Sequence, residues 1–152
     1  MPPPLNLELD FITPEHPLYA AELELRFQVL RAPLGQRRED VLFPFEAGSF
    51  HLVARDGSQL VGCVLFHPES PLEGRLLQMA VLPERQGSGL GAALVGKLED
   101  EVSSRGYGRV TLHARATVTG FYERLGYACF GKPFMEVGIS HRRMHKHLRP
   151  SV

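Results

Sequence analysis

Charge of one sign is missing from this 152-residue chain: 17 Lys and Arg offset 17 Asp and Glu, for a formal net charge of zero. That balance excludes the strongly basic profile of a general nucleic-acid binder and the composition of a disordered polyelectrolyte, so no nucleic-acid partner is expected. Long apolar runs are missing too. None approaches the 18 or so residues of a membrane span, so no membrane partner is expected. The start, MPPPLNLELDF, has neither a basic nor an apolar leader region, and the expected location is the cytoplasm. Cysteine is scarce, at two residues, Cys63 and Cys129. Without a Cys-x-x-Cys pair, zinc-ribbon and thioredoxin chemistry have no support, and two reduced thiols are expected. His141, His145 and His147 share one face if they lie on a strand, but no His-Glu-x-x-His motif accompanies them. No metal is expected.

What is present suits one domain over residues 1–152. Hydrophobic residues make up 43% of the chain, and folding at this length buries roughly 69% of the surface. Leu5, Leu7, Leu9 and Phe11 alternate with polar residues as in a half-buried strand. Thr13-Pro14-Glu15 resembles a helix start, and Leu18, Ala21, Leu25 and Val29 give that helix one apolar face up to Pro33 and Gly35. Residues 36–46 read as a loop or short helix reaching toward a substrate. Strands are expected over 50–54 and 60–66, joined by a turn at Asp56-Gly57, and over 75–82, ended by Pro83. A helix over 89–105 follows from Leu90, Leu94, Leu98 and Val102 and stops at Gly106. A strand at 110–113, a short helix at 117–125 and a final strand pair at 127–130 and 134–147 complete the order β-α-β-β-β-α-β-α-β-β. That order predicts an α/β (α+β) sheet with antiparallel hairpins first and a βαβ crossover at its centre.

The segment Met79-Ala80-Val81-Leu82-Pro83-Glu84-Arg85-Gln86-Gly87-Ser88-Gly89-Leu90-Gly91-Ala92 puts a glycine-rich turn between a strand and an amphipathic helix. Glycines let a ligand approach backbone N–H groups closely. The first N–H groups of the helix lack internal partners and carry the positive end of its dipole. Together these features make a phosphate site. A nucleotide P-loop is excluded, because Ala92-Ala93 follows Gly91 where Lys-Ser/Thr is required. A dinucleotide site is excluded as well: it requires an acidic residue about 20 positions on, and residues 102–122 contain no Asp or Glu.

Gln86-Gly87-Ser88-Gly89-Leu90-Gly91 resembles the acetyl-CoA pyrophosphate loop of the GNAT N-acetyltransferases, Q/R-x-x-G-x-G/A. Leu77 to Pro83 is similar to the strand before that loop, and Phe121-Tyr122-Glu123-Arg124-Leu125-Gly126-Tyr127 is similar to the family's second signature, FYEKLGF. The flanks, Arg26-Phe27-x-Val29-Leu30-Arg31-x-Pro33-Leu34-Gly35 and Phe134-x-Glu136-x-Gly138-Ile139-x-His141-x-x-Met144, resemble the ElaA-like branch. Ser140 departs from the Pro that members often carry. Arg115 and Val118 stand where many GNAT proteins have Asn and Ala.

The resemblance implies a GNAT fold: a mixed sheet of about six to seven strands, flanked by about four helices and splayed at the acetyl-CoA site. It implies acetyl-CoA as cosubstrate, held by Met79, Ala80, Val81, Arg85, Gln86, Gly87, Ser88, Gly89, Leu90, Gly91, Ala92 and Tyr122. Backbone groups of Met79 and Val81 would bond the pantetheine arm and the acetyl carbonyl. Arg75 and Arg85 would supply cations near the loop, with Arg85 on a coenzyme phosphate. Tyr122 would be the general acid for the leaving thiolate. No motif fixes the base; Glu136 or His141 are candidates, with His67 and His113 at strand ends. The basic run Arg142 to Arg149 is a solvated strand or faces an acidic substrate. The implied activity is acetyl transfer to a primary amine on a small molecule or peptide, by direct attack in a ternary complex, with homodimerisation left open. The rival is a non-catalytic acyl-CoA-binding module serving as sensor or interaction subunit.

Overall fold

The computed structural model describes residues 7–149. Seven strands form one mixed sheet: β1 (Leu7–Ile12), β2 (Phe50–Asp56), β3 (Gln59–Pro68), β4 (Glu73–Val81), β5 (Arg109–Arg115), β6 (Ala128–Glu136) and β7 (Ile139–His147), in the order β1-β2-β3-β4-β5-β7-β6. All neighbours are antiparallel except β4 and β5. These two are joined by the crossover helix α2 (Leu90–Ser104), as a parallel pair requires. Leu5, the expected first residue of β1, lies outside the described residues.

Three α-helices are found among the described residues, against about four expected: α1 (Tyr19–Arg26), α2 and α3 (Thr119–Arg124). Short turns fill the rest. A π-turn at Phe27–Arg31 and a 3-10 turn at Ala32–Leu34 extend α1 to Gly35, which takes φ +70°. A 3-10 turn covers Arg38–Val41 in the expected loop. The first helix begins at Tyr19, not near Thr13, because Thr13 accepts a turn bond from His16 and the His16 ring accepts the Leu18 N–H.

The final strand pair also differs from expectation. Gly131-Lys132-Pro133 does not divide two strands; it is a bulge inside β6, between Phe130 and Phe134. The hairpin turn is Val137-Gly138, with φ +46° and +73°, the sign pattern of a type I′ turn. Glu136 therefore faces Ile139, and Phe134 faces His141.

Strand alternation sorts the residues onto two faces. One face of the sheet packs Leu52, Val61, Phe66, Leu112 and Met144 against Leu94, Leu98 and Val102 of α2 and Tyr122 of α3. On the other, α1 covers Val53, Cys63 and Ala80 with Leu25, which leaves the matching face of β5, β7 and β6 as a half-exposed surface of Arg109, His113, Arg115, Arg143 and Phe134. Cys63 is buried and Cys129 half-buried, and both are free thiols.

Candidate active site

β4 and β5 pair only at Glu73–Arg109, Gly74–Val110 and Arg75–Thr111; beyond Arg75 they part. The divergence follows from an irregularity in the β3–β4 ladder, where Cys63 faces Ala80 but Leu65 faces Leu77. Gln78 takes up the extra residue at φ +56°, as in a bulge, which bends its strand away. The Leu82 N–H donates to the Val61 carbonyl at 3.0 Å. Alternation then turns the N–H and C=O of Val81, and of Met79 before it, toward the open side. The Gln86 amide donates to that Val81 carbonyl at 3.0 Å.

The glycine loop ends this strand. Pro83–Arg85 forms one 3-10 turn, Gly87 sits at φ +78°, and Gly89 caps α2 at φ +89° with no side-chain hydrogen bond. The first intrahelical bond runs from the Ala93 N–H to the Gly89 carbonyl, so the N–H groups of Leu90, Gly91 and Ala92 point out of the helix start. Ser88 Oγ donates to the Arg85 carbonyl. A Cβ at Gly91 would lie 3.1 Å from Phe121 Cζ, whereas Gly87 and Gly89 have open space around them. The constraint at Gly89 is conformational, about 1–2 kcal/mol for any other residue at that φ.

The Gly91–Phe121 approach sets the first turn of α2 beside α3. Tyr122, next to Phe121, is 7% exposed and packs edge-on to Phe121 and Tyr127. Burial alone pushes its pKa up to about 12, so it is a neutral phenol across the physiological range.

Of the two cations expected near the loop, Arg85 lies in its first turn and Arg75 lies well before it. Arg85 is ion-paired with Asp56 at the β2–β3 turn. Arg75 lies six residues before Val81, about 20 Å along the strand, and its Nη2 is 3.0 Å from His113 Nδ1.

At that end of the splay the structure gathers three of the four base candidates. Glu136 Oε1 is 3.1 Å from His113 Nδ1, and Glu136 Oε2 is 3.6 Å from His141 Nε2. Phe134 lies against both imidazoles. The tautomers follow from the neighbours. A guanidinium can only donate, so His113 Nδ1 accepts from Arg75; burial and the Arg75 charge hold the His113 pKa below the ordinary value. A carbonyl can only accept, so His141 Nδ1, 2.7 Å from the Ile139 carbonyl, carries a proton, and Nε2 is turned toward the Glu136 carboxylate. Each oxygen of Glu136 thus faces an imidazole nitrogen, with the Arg75 guanidinium also on His113 Nδ1. His67 stands apart: its ring stacks on Phe45 at 4.3 Å, and Nδ1 meets Ser49 Oγ at 3.3 Å.

A second polar cluster escaped the sequence reading. Arg26, fully buried, donates from Nη1 to Glu22 Oε2 at 2.8 Å and from Nη2 to Glu46 Oε2 and the Val41 carbonyl, each at 2.7 Å. His51, also fully buried, faces the Glu22 carboxylate with Nδ1 at 2.9 Å and the Glu46 carbonyl with Nε2 at 2.7 Å. Two acceptors require two donors, so His51 is an imidazolium. Burial opposes that charge, but the Glu22 hydrogen bond and carboxylate outweigh it and raise the pKa. Glu22, Glu46 and His51 are close enough to hold a metal ion, but Arg26 already supplies the cation to both carboxylates. The cluster ties the loop before β2 to α1.

Residues 32–148 match the family model described as an acetyltransferase (GNAT) domain. An uncharacterized N-acetyltransferase of Bacillus subtilis, YitI, is 34% identical over 136 residues, covering 84% of this chain and 91% of its own. An uncharacterized acetyltransferase of Streptococcus pyogenes is 32% identical over 93 residues, covering 61% of this chain; the match spans only 64% of the relative's own length. Among solved structures, Escherichia coli ElaA superposes with a TM-score of 0.80 at 20% identity, over 92% of this chain and 99% of its own. An aminoglycoside 6'-N-acetyltransferase complexed with coenzyme A gives 0.78 at 20%, over 95% and 99%. The seven-stranded mixed sheet agrees with the fold those structures share. With the family model matched over most of its length, the chain belongs to the GNAT acetyltransferases.

Proposed function

We propose that the chain transfers an acetyl group from acetyl-CoA to a primary amine by direct attack in a ternary complex. The observation that carries this reading is the placement of complementary proton chemistry on the two faces of the sheet at one splay. Tyr122 belongs to the α2 face, whereas His113 on β5 belongs to the opposite face, together with Glu136 and His141.

The residues around the gap then divide the work. The N–H groups of Leu90, Gly91 and Ala92, with the dipole of α2, would hold the pyrophosphate, and the backbone of Met79 and Val81 would hold the arm in the splay. Gln86 occupies the Val81 carbonyl in the free protein and would give it up to the arm. Attack on the thioester builds an oxyanion, which a fixed backbone N–H on the open side of β4 stabilises. An ammonium arriving at Glu136 would meet its carboxylate, with His113 and His141 beside it, and lose its proton there, becoming the nucleophile. The departing thiolate on the other face would take the Tyr122 proton. The coenzyme A in complex with the aminoglycoside acetyltransferase supports acetyl-CoA as the donor.

Thiol release from acetyl-CoA with a panel of amines tests the activity. Glu136→Gln is expected to lower kcat by about 10²-fold or more, the usual weight of a general base, with little change in the KM for acetyl-CoA. A folded variant at the wild-type rate would remove Glu136 from this role. Coenzyme binding without turnover on any amine would instead favour the non-catalytic module.

Coenzyme binding itself is tested at the helix start. Gly91→Ala gains about 1 kcal/mol of helix propensity against a small displacement of the Phe121 ring, so the fold should be unharmed. Its methyl would lie against the Phe121 ring and, tilted toward the helix start as helical Cβ atoms are, would crowd the approach to the first-turn N–H groups. Losing one charge-assisted hydrogen bond there costs about 1.5–3 kcal/mol, a roughly 10- to 100-fold weaker coenzyme A affinity by calorimetry. An unchanged affinity would sink the placement of the pyrophosphate.

A further inference from the structure

The face that carries Glu136 also carries more positive charge than the chain has used. Arg75 contacts His113, Arg115 lies directly opposite His141 across β5 and β7, and Arg143 covers the Phe134 ring at 5.4 Å. Arg31, at the end of the π-turn that packs on β4, is close enough to feel the charges of Glu136 and Arg115. Its Nη1 donates to the Gln36 amide oxygen at 3.3 Å. Among the described residues none of these four arginines has a carboxylate within 4.0 Å, although Asp40 lies within range of the Arg31 charge. Two of them hold orphaned donors: Arg31 Nε and Arg75 Nε are buried and have no hydrogen-bond partner, as is also true of Arg26 Nε and Arg142 Nε away from this face. A buried N–H without an acceptor is costly and uncommon. By contrast Arg55 has Glu8 and Asp10, Arg109 has Glu73 and Lys146 has Glu99. On the acceptor face the four arginines gather around Glu136.

We infer that the acceptor amine carries an oxyanion, a carboxylate or phosphate, bound by Arg31, Arg75 and Arg115 while its ammonium sits on Glu136 and His141. This rests on the acetyl-transfer reading and names the substrate class for it. Guanidinium forks match carboxylates and phosphates in pairs of parallel hydrogen bonds. The two halves of such a zwitterion would meet the two kinds of group on this face: the Glu136 carboxylate at the β6–β7 turn, and guanidinium groups without a carboxylate partner beside it. A polyamine or an aminoglycoside, cationic throughout, would meet repulsion from the arginines instead.

The test is a comparison of matched pairs on the wild-type protein: L-amino acids against their amides, aminoethyl phosphate against ethanolamine, with spermidine and an aminoglycoside as cationic probes. Thiol release should favour at least one acid over its neutral partner by tenfold or more in kcat/KM, and the preferred pair distinguishes carboxylate from phosphate. Calorimetric titration of the same probes into coenzyme-saturated protein should show the same order, and it decides the matter even where turnover is slow. Arg31→Met and Arg115→Met should each raise the KM for the preferred acid by about tenfold while its neutral partner and coenzyme A affinity change little. Equal handling of acid and amide, preference for spermidine or the aminoglycoside, or an unchanged KM in both folded variants would overturn the inference. Failure of the underlying activity reads differently: no probe, acid or neutral, would then release thiol, whereas calorimetry would still rank the acids against their neutral partners.

Discussion

Arg26→Met is expected to lower the thermal unfolding midpoint by about 10 °C, as followed by circular dichroism. The reason is the burial of the charges it holds. Glu22 and Arg26 have no exposed side-chain surface, and Glu46 has 12%. Removing the guanidinium leaves two carboxylates to share one imidazolium, and breaking a buried ion pair from one side costs about 3–5 kcal/mol. For a chain of this size each kcal/mol moves the midpoint by roughly 2–4 °C. Glu22→Gln in the Arg26→Met background should recover part of the loss, since the remaining carboxylate and imidazolium then balance. A wild-type midpoint in the single variant would show that the carboxylates simply take up protons.

The same cluster sets a pH dependence. Because the His51 pKa is raised in the folded chain, its contribution is complete below the unfolded value of about 6.5 and is lost as pH rises through the folded value. The Glu46 carboxyl works in the opposite sense. Burial opposes its charge, but hydrogen bonds from Arg26 and Tyr19 prevail and lower its pKa, so its contribution is lost on acidification. The stability of the wild type to denaturant should therefore fall on the alkaline side of pH 6.5. His51→Gln should be less stable throughout and flatter in that window.

Which of these features could be read in the sequence depends on how local their causes are. The glycine loop was legible because strand, turn and helix start lie within fourteen consecutive residues, and each glycine has a reason in its own backbone. The β6–β7 turn was not. Val137 at φ +46° contradicts turn chemistry, since a β-branched residue resists positive φ, while Gly131-Lys132-Pro133 imitates a turn and is a bulge. That error mattered, because the true turn is what brings Glu136 to His141. Glu22 and Arg26, four residues apart, look like an exposed helix pair; only the return of Glu46 and His51 from the following loop and strand makes them a core. Arg31, Arg75, Arg115 and Arg143 come from four elements, and their shared face exists only once the sheet is ordered β4-β5-β7-β6. Gln78, at positive φ in the middle of β4, opens the sheet without any sequence mark.

Tyr122→Phe is expected to lower kcat by about 10²-fold with a small effect on stability and on the KM for acetyl-CoA. Phenylalanine keeps the ring that packs against Phe121 and Tyr127, so the core is unchanged; only the hydroxyl is lost. General-acid assistance typically contributes 10²–10⁴-fold, and a thiolate leaves easily enough to put this case at about the lower end. Burial also makes a second, independent demand. With a pKa of about 12, the phenol keeps its proton throughout the working range, so it imposes no alkaline limb on the wild-type rate at pH 8–10, and the variant should show the same pH profile as the wild type at a lower height. The measurement is steady-state kinetics across that range on the best acceptor, with folding checked by circular dichroism. A wild-type kcat in the folded variant would make Tyr122 a packing residue. A limb near pH 9 that vanishes with the hydroxyl would show that coenzyme binding lowers the phenol's pKa, and the proton donor would then be tuned by the ligand rather than by the core.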